Sequence, residues 1–88
     1  MNQNMPVDVI SVCSAEGEIR PLRLRMEDES RQMLRINIDE IVGVKTVEHV
    51  GAEAQIFLCR TTLWEREMTF ELKYSIRGHT WSICRKNS

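Results

Sequence analysis

The side chains best suited to catalysis or metal binding in this sequence are two histidines and three cysteines, and their spacing matches no catalytic or metal-binding pattern. His49 and His79 have no second His, Cys or Asp at ligand spacing, and Cys13, Cys59 and Cys84 form no CxxC pair. A Cys–His nucleophile requires a thiolate held beside an imidazole. Cys84 and His79 are five positions apart, so the alternation of side chains along a strand places them on opposite faces. We therefore expect turn histidines and free thiols, and no metal site.

Other catalytic patterns are missing from the sequence as well. Its serines and carboxylates show no nucleophile elbow or paired-carboxylate pattern, and it has no glycine-rich phosphate loop. Because three cysteines cannot complete a disulfide framework, free thiols in a reducing cytoplasm are expected. No run approaches a transmembrane helix, and the N-terminus lacks the pattern of a signal peptide. The sequence predicts a cytoplasmic protein without catalysis, cofactor or membrane partner.

Arginines supply one candidate binding surface, formed by Arg20, Arg23, Arg25 and Arg35. Arg23 and Arg25 share a strand face, and Arg35 lies across from them if the second and third strands pair. A basic strand face can contact phosphates. Alternating arginines also serve simply to make an outer face soluble and to discourage edge pairing. Aromatic residues, which single-strand binding favours, are absent from this segment, and the acidic run 27–29 partly neutralises it.

Ile56, Leu58 and Trp64 supply a second candidate surface, because they fall on one face of a predicted strand. Large apolar groups on such a face require a cover, which is either another part of this chain or a second molecule. Tryptophan is enriched at the energetic centres of protein interfaces. The sequence therefore favours a protein-binding or self-associating module, with a nucleic-acid accessory protein as the alternative.

The stretch from Ala54 to Arg85 positions these candidates, since it is predicted to form two consecutive hairpins. The segment from Met68 to Ile76 alternates apolar and polar residues strictly, which is typical of a half-buried strand. A two-residue turn at Arg77–Gly78 would place Tyr74 opposite Trp81. A one-residue slip would move the apolar residues into water, so this register is preferred.

A second turn, predicted at Glu65–Arg66, places Leu63 opposite Met68 and Cys59 opposite Leu72. It also places Arg60 opposite Glu71, which would form a cross-strand ion pair. The three strands would then share one apolar face, made of Phe57, Cys59, Leu63, Met68, Phe70, Leu72, Tyr74, Trp81 and Ile83.

The rest of the chain reads as short strands. Residues 1–6 are predicted to be a flexible tail, and residues 7–88 a single β domain. Val7–Cys13 is the first strand; its alternation breaks at Val9–Ile10, so either both faces are partly covered or a bulge lies there. Ile19–Glu27 and Met33–Ile38 are the next two strands, and these two could pair as a hairpin. For residues 39–50 we favour a strand with a bulge at Gly43 over a short helix near residues 39–42.

Eighty-eight residues with a net charge of −1 allow one core and give no global attraction to nucleic acid. The pattern predicts an all-β fold of five to seven strands, either a small antiparallel barrel, with an SH3-like barrel as the best guess, or a strongly bent sheet.

Most of the chain resembles a group of short all-β proteins of Firmicute bacteria. The residues that carry the resemblance are Phe57–Arg60, Phe70–Tyr74 and Trp81, together with Gly17, Ile19, Pro21, Leu22 and Arg23. It implies a bacterial cytoplasmic protein and no particular activity.

Overall fold

A computed structural model shows an all-β protein built from two sheets that pack face to face. It describes residues 2–86, without the side chains of residues 2, 3, 49, 85 and 86. The eight strands are β1 (Asn2–Pro6), β2 (Asp8–Cys13), β3 (Ile19–Glu27), β4 (Met33–Asn37), β5 (Glu40–His49), β6 (Ala52–Leu63), β7 (Arg66–Ser75) and β8 (Thr80–Lys86). A large sheet has the strand order β1-β8-β7-β6-β5, and a small sheet has the order β2-β3-β4.

The β6–β7–β8 meander confirms the predicted central hairpins and their shared apolar face. Tyr74 lies opposite Trp81 and Leu72 opposite Ile83, as the sequence predicts. The connection differs, because it has four residues (76–79) and its left-handed residue is His79 rather than Gly78. A Cβ on Gly78 would lie 3.3 Å from the Ser75 hydroxyl oxygen, so glycine serves close packing here.

The β6–β7 turn lies one residue earlier than predicted, at Trp64–Glu65, and this shifts the register by two. Phe57 therefore faces Leu72, and Leu58 rather than Arg60 faces Glu71. The predicted face survives because side chains alternate with period two, so a shift of two leaves every residue on its own side. Arg60 pairs with Glu40 of the neighbouring strand instead of with Glu71.

The small sheet confirms the predicted pairing of the second and third strands. Leu24 faces Ile36 and Arg25 faces Arg35 across β3 and β4. The register shifts between Ile10 and Ser11, but the extra residue of this bulge belongs to β3 and not to the strand that contains Val9 and Ile10. Leu22 of β3 is the extra residue, which turns Pro21 into the interior.

Two predictions about the N-terminal half require correction or refinement. Instead of a loose tail, Asn2–Pro6 forms β1 and pairs with β8, so the sheet gains an edge strand. Residues 40–49 form a strand, with the register shift between Ile41 and Gly43 that the sequence places at Gly43. No helix occurs within residues 2–86.

The core lies between the two sheets. Leu24 and Ile36 of the small sheet pack against residues of the large sheet, namely Phe57, Cys59, Leu72 and Ile83. Burying such side chains is worth roughly 1.5–3 kcal/mol each. Thr61 is the buried polar residue of this layer, and its hydroxyl donates a hydrogen bond to the Asn37 carbonyl, which ties β6 to the end of β4.

The sheets stay separate, so the SH3-like barrel is not confirmed. The described chain forms a two-layer arrangement that measures 36 × 31 × 21 Å. Its short dimension fits two sheets spaced about 10 Å apart with side chains on both outer faces. Eight strands replace the predicted five to seven because residues 2–6, which the sequence predicts to be a tail, form the additional strand β1.

Candidate functional site

The outer face of the small sheet brings all four predicted arginines together. Cross-strand pairing aligns Asp8, Arg25 and Arg35 in one row, and Ile10, Arg23 and Asn37 in the next. Val12 and Arg20 form a further row beyond the bulge. All four arginine side chains are exposed, and no other described element covers them. We call these four residues the arginine face.

Carboxylates neutralise only part of the arginine face. Asp8 accepts a hydrogen bond from the Arg25 guanidinium at 2.8 Å. Asp8 is also the sole acidic residue beside a depression of about 330 Å³ that Arg23, Arg25 and Arg35 line. An exposed pair of this kind is worth about 0–1 kcal/mol, and it engages one of the four guanidinium groups. The face therefore presents more positive than negative charge.

A second concave surface is lined by residues of both sheets and of the β3–β4 loop. This groove has a volume of about 800 Å³. One lip is the β3–β4 loop, and the other is the tip of the β6–β7 hairpin. The apolar side chains between them include Met26, Leu34, Leu63, Met68 and Phe70. Its size falls within the range of roughly 300–1,000 Å³ that is usual for ligand pockets.

The charged residues that line the groove are all acidic. Glu27, Asp28 and Glu29 come from the β3–β4 loop, and no Lys, Arg or His lines the groove. Glu71 contributes from β7, where the register places its side chain on the outer face of the large sheet, in one row with Leu58. The groove is therefore apolar at its floor and negative at its lip.

Loop 28–32 is held by its own first residue. The Asp28 carboxylate accepts hydrogen bonds from the Ser30 and Gln32 amides at 2.8 and 2.9 Å. Arg31 takes the left-handed conformation, with φ of 63°. Loop 14–18 has the same hydrogen bonds to the Ser14 hydroxyl and has Gly17 at the equivalent left-handed position.

Trp64 forms the opposite lip and is 75 % exposed. Both residues of its turn are left-handed, with φ of 52° for Trp64 and 62° for Glu65. Such a turn favours Asn-Gly, because other residues lose about 1–2 kcal/mol in this conformation. Burial is the ordinary expectation for a large apolar ring, but Trp64 is exposed because it lies in the β6–β7 turn.

Two of the three predicted interface residues, Leu58 and Trp64, line the groove, and Ile56 does not. Ile56 is half-buried and Leu58 is 37 % exposed, and both lie on the outer face of the large sheet by their register. Trp64 lies at the hairpin tip instead. The residues that the sequence analysis missed are the groove residues Met26, Leu34 and the loop carboxylates, which come from a strand pair far from Trp64 in sequence.

The reactive side chains are dispersed, as their spacing predicts. Cys13 is exposed, Cys59 is buried and Cys84 is half-buried; none of the three forms a disulfide. Burial raises the pKa of Cys59 to about 11, which keeps it a thiol. The His79 ring lies 3.0 Å from the Tyr74 hydroxyl, measured at Nδ1, while the His49 side chain is outside the described residues. Among the described side chains, no cluster of His, Cys, Asp or Glu could hold a metal ion.

Comparisons with known proteins leave the function open: no family model, no curated protein and no solved structure matches the chain. The resemblance to short all-β proteins of Firmicutes therefore stays a prediction. Within residues 2–86, no helix is long and apolar enough to cross a membrane.

Proposed function

We propose that this chain is a non-catalytic cytoplasmic binding module that holds a segment of a partner protein in the groove. The observation that carries the proposal is an open apolar groove of about 800 Å³ with the exposed Trp64 at its lip. An exposed apolar surface of this kind is typical of interaction sites. Tryptophan contributes a large rigid contact area, and it is among the residues that dominate binding energy.

The lining points to the chemistry of the partner segment. Methionines 5, 26 and 68 line the groove, and their flexible thioether side chains adapt to apolar groups of different shape. The two lips, counted as residues 27–31 and 64–66, carry four carboxylates against two guanidinium groups. A segment with apolar side chains flanked by lysine or arginine therefore fits this groove best.

A direct test titrates the protein with a short synthetic peptide of alternating lysine and leucine, followed by tryptophan fluorescence and calorimetry. Trp64 is the more exposed of the two tryptophans, so its transfer into a contact should move the emission to shorter wavelength. The matching peptide of alternating glutamate and leucine should bind at least about tenfold more weakly, a difference of 1.4 kcal/mol.

Two variants separate groove binding from general stickiness. Trp64→Ala removes the lip and should weaken the lysine–leucine peptide about tenfold. Val50→Ala changes an equally exposed apolar residue at the tip of the β5–β6 hairpin, outside the groove, and should leave binding unchanged. Equal losses in both variants, or equal binding of both peptides, would remove the groove as the site.

A further inference from the structure

The arginine face supports an inference that is independent of the groove, because this face is the outer side of the small sheet. We propose that this face binds the sugar–phosphate backbone of a single-stranded nucleic acid, without reading its bases. Guanidinium groups match phosphate geometry with paired donors. Peptide binding in the groove does not involve the four arginines of this face, because none of them lines the groove.

The arrangement of the arginines favours a chain of phosphates over a single compact anion. Arg20, Arg23 and Arg25 follow one another along β3, the central strand of the small sheet, and Arg35 faces Arg25 from β4. At about 3.3 Å per residue, the row along β3 is roughly 15 Å long. A row of this length matches successive phosphates of one strand, whereas one phosphate group would require guanidinium groups that converge.

The width of the sheet favours a single strand over a duplex. Three strands at about 4.8 Å spacing form a surface wider than the two-stranded ribbon that a major groove admits. The neighbouring exposed groups on β2 are Ile10 and Val12, which offer an apolar surface to sugars and bases without hydrogen-bond readout. Since no aromatic residue occurs in the three strands β2, β3 and β4, little base preference is expected.

Asp8 determines how many arginines can displace counterions from the nucleic acid. Its carboxylate holds Arg25 at 2.8 Å, so three of the four guanidinium groups are unpaired by Asp8 and available to phosphates. For single strands the slope of log Kobs against log salt is about −0.7 per contact, which gives roughly −2 for this face. Asp8→Asn should free the fourth contact, tighten binding at low salt and move the slope to roughly −3.

The experiment is a fluorescence-anisotropy titration of the full chain with a labelled mixed-sequence single strand, as DNA and as RNA, across a salt series. Wild-type protein should bind both with a slope of roughly −2. Arg23→Gln/Arg25→Gln should lose at least about tenfold in affinity at low salt, and its slope should fall to about −1.4, because Arg20 and Arg35 are the contacts that remain. Arg23→Lys/Arg25→Lys should keep the slope, because the charge is retained.

The matched control is Arg66→Gln/Arg77→Gln, which removes the same charge from two hairpin ends outside the face. It should bind like wild type, and thermal unfolding should show that both double variants are folded. A slope near zero, an equal loss in the control, or equal binding of a duplex or of polyglutamate would overturn the proposal. The Trp64→Ala variant should bind the strand normally, so failure of this proposal is distinguishable from failure of the groove.

Discussion

The groove and the arginine face are two surfaces of one sandwich with opposite electrostatic character. On the outer side of the small sheet, four arginines stand above a packed layer that contains Leu24 and Ile36. In the groove, apolar side chains of both sheets lie beside a loop that carries three consecutive carboxylates. A chain of net charge −1 thus presents both signs. Net charge is a poor guide to partners when charges are segregated by face.

The surfaces also differ in how firmly they are held. The arginine face lies on paired strands, and apart from the bulge at Leu22 their hydrogen-bonded ladders hold the backbone beneath the arginines. Both lips of the groove contain non-glycine residues in the left-handed conformation, Arg31 on one side and Trp64 with Glu65 on the other. Strain of this kind collects at functional sites. Substitutions in the two regions therefore compare a surface on paired strands with one that contains strained turns.

The largest expected effect comes from the layer beneath the arginine face. Leu24 is 1 % exposed, and Leu24→Ala should lower the free energy of unfolding by about 2–5 kcal/mol, because a cavity replaces its side chain. Leu22→Ala is the matched control: the same substitution on the same strand, at the exposed bulge position, should cost less than about 0.5 kcal/mol. Urea unfolding measures both, and equal costs would mean that the small sheet is not packed as described.

The free energy of unfolding should fall at alkaline pH because of Cys59, which lies in the core between the two sheets. Its folded pKa of about 11 exceeds the ordinary 9.0, so the folded state retains a proton that the unfolded state loses. This stabilisation is complete below pH 9.0 and is lost as the pH rises to about 11. At 1.36 kcal/mol per pKa unit, the loss amounts to about 2–3 kcal/mol.

The alkaline loss is best read as a difference between variants, since other groups titrate in the same range. Urea unfolding of Cys59→Ala should show a shallower decline between pH 9.0 and 11, even though the variant starts less stable. Cys13→Ser alters an exposed thiol and should decline like wild type. A parallel decline in all three proteins would show that Cys59 is not the cause.

The left-handed turn at Trp64–Glu65 should lower the stability of the protein, while the indole of Trp64 should strengthen peptide binding. Trp64→Asn/Glu65→Gly installs the residue pair that suits this turn, so the protein should gain about 1–2 kcal/mol. The same change removes the indole, and the lysine–leucine peptide should bind about tenfold more weakly. Val50→Asn relieves the other left-handed turn and should raise stability without changing peptide affinity. Loss of affinity in that variant too would contradict a role specific to Trp64.

The smallest expected effects come from the two matching loops. Arg31→Gly should stabilise the protein by about 1 kcal/mol, and Gly17→Ala should destabilise it by a similar amount, since each changes only the residue at a left-handed position. A Cβ at Gly17 would meet no atom within 4 Å, so its cost is purely one of backbone conformation. Thermal unfolding shifts of opposite sign are expected; shifts of the same sign would refute the shared loop geometry.

The sequence predicts the arginine face far better than the groove, for a physical reason. Arg23 and Arg25 share a face by their spacing alone, and Arg35 joins them through one local hairpin whose strands are adjacent in the chain. The same period-two rule predicts the apolar side of the meander. The period-two rule does not distinguish registers that differ by two residues. It therefore allows the β6–β7 turn at Glu65–Arg66 as well as at Trp64–Glu65.

The groove depends on contacts that local patterns do not encode. It brings Met26 and Leu34 of one sheet near Met68 and Phe70 of the other, and the packing of two sheets has no short-range signature. Trp64 illustrates the limit: burial is the ordinary expectation for a large ring, and no Asn or Gly marks its turn. The N-terminal strand was missed because Asn2–Pro6 is polar and pairs only at the sheet's edge.

The central claim, that the two surfaces act independently on partners of opposite charge, is tested most directly by one crossed titration. Wild type, Trp64→Ala and Arg23→Gln/Arg25→Gln are each titrated with the lysine–leucine peptide and with the labelled single strand at low salt. The account predicts that each variant loses one ligand by at least about tenfold and keeps the other. Loss of both ligands in either variant, or of neither, would contradict it.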